Sequence, residues 1–434
     1  MTMKRIIPKD FTAIRNVFSS LRSRNYRIYF TGQGISLIGT WMQNIALSWL
    51  VYRITGSVFL LGLIGFTSQI PTFVLTPFTG VVTDRFNRLR IMKLTQLGFG
   101  LQALAMALLV FFNLVEVWHI IVLSLVFGII SAFDAPARQS LVIDLIDDPA
   151  DLGNAIALNS AIFNSARLVG PAIAGVTIAL VGEGICFLIN AFSFVAVIFA
   201  LMRIIIPEKP VTVRSDNFKK SFVEGFRYTF QSIPIRTLII EVAIISMVGL
   251  SYIVLLPAYA KEILQGGSDT LGYLMSAMGA GALTAALYMA ARKTVIGLGR
   301  IISASVVVLG LAIVLASFSG MFVFSMVTFF FGGLSMVLSL SSVNTMLQTI
   351  VDEDKRGRVM SFYAMALMGI SPIGNLLAGS MASGIGIPFT FMICGAITVL
   401  SGIWFGLNLK SMRKYVYRVY INKGILDSLP NDII

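Results

Sequence analysis

Twelve stretches of this sequence stay apolar for the length a helix needs to cross a hydrocarbon core, about 20 residues for about 30 Å. They fall at 28–52, 57–80, 91–113, 118–140, 154–181, 185–206, 237–260, 269–291, 300–318, 321–347, 359–383 and 387–409. With 57% of residues hydrophobic and only 12% charged, the chain cannot cover a water-facing surface, which takes about a quarter charged residues. Backbone polar groups in lipid must pair within their own segment. The expected fold class is therefore an all-α membrane protein of twelve transmembrane helices.

The charges orient these helices. With both termini in the cytoplasm, thirty of the 33 basic residues lie in the tails and cytoplasmic connections; Arg53 and Lys261 lie outside, and Arg167 lies within a span. Such asymmetry predicts an N-in, C-in topology. It also accounts for the net charge of +13 through topology and some attraction to anionic membrane lipid, so no nucleic acid is expected as a partner. The first 25 residues are basic and polar and lack the apolar region of a signal peptide, which leaves the first span as the targeting signal. Cys186 and Cys394 sit in apolar runs with no Cys/His cluster near them, so they read as packing residues, and no metal or cofactor is expected.

The one long connection divides the chain in two. Residues 1–206 form a basic tail and six spans, 207–236 a cytoplasmic linker, and 237–434 six more spans and a basic tail. In the linker, Phe218, Phe222, Phe226 and Phe230 recur every four residues with Lys219, Lys220, Glu224 and Arg227 between them. This pattern predicts an amphipathic helix on the inner membrane surface or under the bundle. The halves also echo one another. "FGIIS" at 127–131 aligns with "FGGLS" at 331–335, Gly153 with Gly357, "GPAIAG" at 170–175 with "SPIGNLLAG" at 371–379, and "LLGLIG" at 60–65 with "TLGYLM" at 270–275. A parallel repeat of two six-helix units is the layout of a transporter that rocks two halves about a central site.

"GVVTDRFNRLR" at 80–90 resembles motif A of the major facilitator superfamily, with Gly80, Asp84, Arg85, Arg88 and Arg90 in the expected places and Asn87 where a glycine is usual. The resemblance implies the major facilitator fold, two pseudo-symmetric six-helix bundles, and a breakable cytoplasmic latch at this cluster. "ARLVGPAIAG" at 166–175 resembles the exporters' motif C through Gly170, Pro171 and Gly175, implying a kinked, tightly packed fifth span. The run from "AFDAPARQSLVIDLI" to "NSARLVGPAIAG" is similar to the transmembrane secretion effector branch, which includes exporters of enterobactin-type siderophores. Nearly the whole chain shares this likeness, which implies the inner membrane of a bacterium.

Well inside the spans lie two acids, Asp134 and Glu241, and one deep base, Arg167. Each is costly in hydrocarbon and so a candidate site residue. Arg167 is placed about 20 Å along the fifth span, past the midplane. It cannot shed its proton, so it either binds an anion, with Gln43, Asn44, Gln69, Asn159, Asn164 and Asn190 nearby, or is satisfied by carbonyls next to Pro171. Asp134 reads either as a local pair with Arg138 where Pro136 bends or stops the helix, as a cavity acid that carries the coupling proton, or as part of a gate. Glu241 lies near the inner edge of span seven. In the repeat, Asp134, Arg138 and Arg167 align with Leu338, Ser342 and Met368, so the charges belong to the N-terminal half alone. Tyr252, Tyr259, Tyr273, Met275, Met278, Phe362, Tyr363, Met365 and Met368 are the expected apolar wall of the other half.

These features predict proton-driven export of a small amphipathic or anionic compound, such as a siderophore, by a monomer that uses the proton gradient as its energy source. No Gly-rich loop with a lysine is present for nucleotide. Multidrug efflux and lipid or lysophospholipid flipping are the alternatives, with uptake by symport disfavoured by the motif C resemblance. An intramembrane enzyme is not expected, because nothing clusters around the single His119.

Overall fold

The computed structural model describes residues 18–205, 218–292 and 294–426, with the side chains at 76, 77, 80–82, 84, 85 and 218–222 outside that description. All regular structure among the described residues is helical. Spans one to six are Arg24–Thr55, Val58–Arg85, Arg88–Phe111, Val117–Asp144, Leu152–Val181 and Glu183–Met202. A linker helix, Phe218–Gln231, follows. Spans seven to twelve are Ile233–Ile263, Ser268–Ala291, Leu298–Ser317, Phe322–Ile350, Glu353–Ile385 and Ile387–Asn422. Eleven of the described helices are apolar and long enough to cross a membrane by themselves. The first span is the twelfth: its 32 residues are long enough, but Gln33, Ser36, Gln43, Asn44 and Ser48 dilute its apolar run. It lies against spans five and six, which bury Gln33 and Gln43 away from lipid.

Three elements depart from the expected helices. Pro136 does not stop span four, which runs on to Asp144, because a proline forfeits one backbone hydrogen bond and neighbouring helices hold the turn. Span seven is not regular: π-helix at Ile245–Gly249, 3-10 helix at Ser251–Leu255 and π-helix again at Tyr259–Ile263 each shift its facing. Span twelve continues past 409 to Asn422, because Met412, Val416 and Tyr420 recur every four residues and are buried. Lys423 then donates to the Thr349 carbonyl at 2.8 Å and ties its end to span ten.

The halves meet along two seams that the repeat makes equivalent. Span five packs on span eight, and span two on span eleven. At the first, a Cβ on Gly175 would come within 2.9 Å of the Gly272 Cα; at the second, a Cβ on Gly379 would come within 2.9 Å of the Gly62 Cα. Gly62 aligns with Gly272 in the repeat and Gly175 with Gly379, so the same two helix surfaces are used twice with partners exchanged. Only glycine permits this approach of backbones, the small-residue packing by which helices associate in lipid. Both seams lie toward the end of the bundle away from the linker. There the Tyr52 hydroxyl donates to the Glu262 carboxylate across the halves, and Lys261 Nζ lies 5.7 Å from the Tyr52 ring centroid. On the linker side, no hydrogen bond or ion pair among the described residues joins the two halves.

The linker helix sits under the start of span eleven. Glu224 pairs with Arg358 at 2.7 Å, the Tyr228 hydroxyl donates to Asp352 at 3.1 Å, and Phe226 and Phe230 pack edge-on against Phe362. Burial of Tyr228, ahead of the neighbouring Asp352, pushes its phenol up to about 12. Phe218, Phe222, Lys219 and Lys220 lie outside the described side chains.

Candidate functional site

A cavity of about 570 Å³ lies between the halves, behind the seams. Its two walls differ in chemistry. The first six spans supply every charged residue and most polar residues of the described lining, Gln43, Asn44, Ser48, Ser68, Gln69, Gln102, Ser124 and Arg167, together with Trp41, Phe127, Phe163 and the aliphatic Ile45, Leu47, Val51, Leu61 and Ile64. The last six supply Leu250, Ile253, Val254, Pro257, Leu271, Met275, Met336 and Leu340, with Ser371 and Asn375 as their polar members. Arg167 is the one charged residue in the lining among the described residues.

Arg167 reaches from span five across the cavity to span ten. One guanidinium nitrogen lies 3.5 Å from the Met336 sulfur, a weak acceptor. The guanidinium carbon sits 5.6 Å from the centroid of Trp41, a cation–π arrangement that holds its face. Its Nε is buried with no hydrogen-bond partner, and no carboxylate among the described residues pairs with it. The carbonyls beside Pro171 do not take it up. Instead span five stays helical through Pro171, and its backbone there is occupied by packing: a Cβ on Gly170 would meet the Trp41 Cβ at 2.5 Å, and one on Gly279 of span eight would meet the Arg167 carbonyl at 2.8 Å. Gly170, Pro171 and Gly175 thus set the depth at which span five lies against spans one and eight.

Gln43 is fixed from behind. It donates to Gln102 at 2.9 Å and accepts from Asn190 at 2.7 Å, so Asn190 supports the cavity without lining it. The Gln102 amide, in the middle of an apolar run, is the sequence signal for this network. Asn44 and Gln69 line the cavity directly. Asn159 and Asn164 do not: Asn159 accepts from Tyr26 at 3.4 Å, and Asn164 donates to the Ser160 carbonyl of its own helix at 2.8 Å.

Asp134 is packed between spans three and four, outside the cavity. Its Oδ1 accepts from Thr95 at 2.9 Å and Gln96 at 2.8 Å, and its Oδ2 accepts from the Arg138 Nε at 3.1 Å and from an Arg138 Nη. The local pair is the arrangement present in this conformation, and the pair is held further by span three. Glu241 is also outside the cavity, fully buried against span twelve. Its Oε1 accepts from Ser401 at 3.3 Å, while its Oε2 has no partner.

Of the expected apolar wall, only Met275 lines the cavity. Tyr252 and Tyr259 turn into the C-terminal half, stacked on Phe329 and Phe391 respectively, and the Tyr363 hydroxyl donates to the Leu340 carbonyl at 3.3 Å. In span seven the cavity is lined by Leu250, Ile253, Val254 and Pro257, which share one helical stripe, while Tyr252 and Tyr259 lie on another. Tyr273 and Met368 are exposed at the surface. At the motif between spans two and three, Gly80, Asp84 and Arg85 lie outside the described side chains. Arg88 pairs with Asp144 of span four at 2.8 Å, and Arg90 is exposed on span three, its backbone NH bound by the Asn87 cap.

Comparison with known proteins adds to this geometry. The sequence profile described as transmembrane secretion effector matches residues 15–415. The chain is similar to the staphyloferrin A transporter of Staphylococcus aureus, 26% identical over 88% of this chain and 96% of that one. It is also similar to the multidrug efflux pump Tap of Mycolicibacterium fortuitum, 24% identical over 84% and 91% of the two chains. Among solved structures, a bacterial homologue of the human lysosomal transporter Spinster, in an inward-facing and occupied conformation, shares the fold with a TM-score of 0.70. That match covers 91% of this chain and 98% of that one at 13% identity.

Proposed function

The chain belongs to the transmembrane secretion effector family of major facilitator transporters, a multi-pass membrane protein and not an enzyme, and from that premise we propose that it is a proton-coupled exporter. In this reading it carries a small amphipathic or anionic compound, such as a siderophore, outward by alternating access. It works as a monomer in the bacterial inner membrane with both termini cytoplasmic, surrounded by lipid and driven by the proton gradient with no cofactor. The observation that carries the reading is the cavity between the halves, sealed on one side by two glycine seams and the Tyr52–Glu262 contact. Opening those seams while the linker side closes would expose the same cavity to the other face. The staphyloferrin A transporter and Tap support a siderophore-like cargo and multidrug efflux respectively.

For the proton, Glu241 fits better than Asp134. Each Asp134 oxygen already receives two donors, whereas one Glu241 oxygen has none and can take a proton without breaking a contact. Purified protein in liposomes with an imposed pH gradient, screened against siderophores, lipophilic drugs and lysophospholipids, tests the proposal. Gradient-driven movement of one class, lost in Glu241→Gln while substrate binding persists, is expected. Movement indifferent to the gradient would overturn proton coupling, and movement of lysophospholipid alone would replace export with lipid flipping.

A further inference from the structure

We infer that the cavity selects compounds bearing a single carboxylate on an apolar, ring-containing body, and rejects lipophilic cations. The inference rests on the export reading above and narrows its substrate. Its first support is the charge of the lining, which among the described residues contains one arginine and no aspartate or glutamate. A lone guanidinium keeps its charge under all working conditions, so the empty cavity is one unit positive. A ligand with one negative charge neutralises it. A cation adds a second like charge in a region of low dielectric, and a dianion leaves one of its own charges unpaired there.

The second support is the shape of the unsatisfied group. Guanidinium presents its donors in a planar fork that matches carboxylate. Here the Nη on the Nε side is turned to the Met336 sulfur at 3.5 Å, the face is held near Trp41, and Nε is a buried donor with no acceptor. A carboxylate that displaces the Met336 thioether, a weak acceptor, would meet Nε and that Nη together. Beside it, Trp41 and Phe163 form an edge-to-face pair with centroids 5.9 Å apart, and both line the cavity. They offer a ledge for a ring, while Leu250, Ile253 and Val254 face it from the other half. A volume of about 570 Å³ is that of a pocket for a drug-sized molecule.

An apolar carboxylate can reach this site from water or from the bilayer, so the probes separate the two sources. Binding to the full-length protein in lipid nanodiscs is measured by calorimetry for naphthoate, its neutral amide, naphthylmethylammonium, a naphthalene dicarboxylate and decanoate. Naphthoate is expected to bind about 10- to 100-fold more tightly than its amide, the range of a hydrogen-bonded charge partner, with the ammonium weaker still. Decanoate binding as tightly as naphthoate would assign the source to acyl chains and remove the role of the aromatic ledge. Arg167→Met is expected to abolish the preference of acid over amide, and Arg167→Lys, which keeps the charge and loses the fork, to retain only part of it. Each variant is first shown to be monodisperse and to unfold at the temperature of the unaltered protein. Should Arg167→Met not fold, the Arg167→Lys series and the unaltered protein's own ranking of acid, amide and ammonium decide. Equal binding of acid and ammonium, or equal losses of acid and amide in the variants, would overturn the inference. The same probes in gradient-loaded liposomes keep it separate from export: a cation pumped as well as the acid defeats charge selection alone, and selective binding without transport defeats the export reading alone.

Discussion

Substitution of a seam glycine is expected to act on conformation rather than on folding. A Cβ on Gly379 would sit 2.9 Å from the Gly62 Cα and 2.9 Å from the Val58 carbonyl, where ordinary contact begins at 3.4 Å. Gly379→Ala therefore asks spans two and eleven to part by about half an ångström, at the overpacking cost of about 1–3 kcal/mol. Each half can relieve that strain as a rigid body, by opening the seam. The cost then appears as a shift of about 5- to 150-fold away from the conformation sealed at that end. The symmetric change Gly175→Ala, against Gly272, should give a similar shift, and the double substitution should add to it. A spin-label pair at Thr55 and Gln265, one on each half at the sealed end, reads the distance by electron–electron resonance. A longer or broader distribution in both variants is expected. As a control, Gly310→Ala would place its Cβ 2.6 Å from the Gly395 carbonyl inside the C-terminal half, where no rocking relieves it, so it should lower thermal stability and leave the label distance alone. If Gly379→Ala lowered stability as Gly310→Ala does and left the distance unchanged, the seam would be static packing and the reasoning would fail.

Removing the hydroxyl in Tyr52→Phe deletes the hydrogen bond to Glu262 and should weaken closure of the same end by about 0.5–1.5 kcal/mol; Glu262→Gln should act less, since an amide oxygen still accepts. The same label pair checks both. Asp134→Asn strands Arg138, but with the arginine side chain 33% exposed the loss is screened to about 1–2 kcal/mol. A lower unfolding temperature with intact gradient-driven transport is expected, and lost transport at unchanged stability would return the coupling role to Asp134. Arg358→Ala removes the ion pair to Glu224, an exposed contact worth under about 1 kcal/mol. It should speed proteolysis of the linker without altering substrate binding, and unaltered cleavage would mean that the aromatic contacts to Phe362 hold the linker by themselves.

The spans are legible because a hydrocarbon core imposes one length on every crossing helix, and the duplication because glycines recur in both halves; which spans those glycines join is set by the fold. Arg167 stood out because a charge deep in an apolar run has few places to go. The facing of span seven was not legible. Tyr252 and Tyr259 are aromatic residues that suit a cavity wall or a packed half equally well, and only the fold shows them stacked on Phe329 and Phe391. Trp41 and Phe163 escaped notice because aromatic residues are abundant in spans, and only the fold sets them beside Arg167. The contact of Glu262 with Tyr52 joins residues 210 positions apart, and no local pattern marks such a pair. Asp134 could be described locally through Arg138, but Thr95 and Gln96, which complete its shell, come from another helix.

The missing counter-ion of Arg167 has an electrical consequence. As the halves rock, the seal moves from one side of the residue to the other, so its charge changes which aqueous phase it shares without itself travelling far. A full crossing of the membrane field is worth about 2.3 kcal/mol per charge per 100 mV, and the focused field across a seal captures part of that. An empty carrier would thus be biased by voltage toward opening Arg167 to the negative side. A carrier loaded with one carboxylate, electrically neutral at its centre, would not be. Membrane potential would then govern the return stroke and leave the delivery stroke to the chemical gradients.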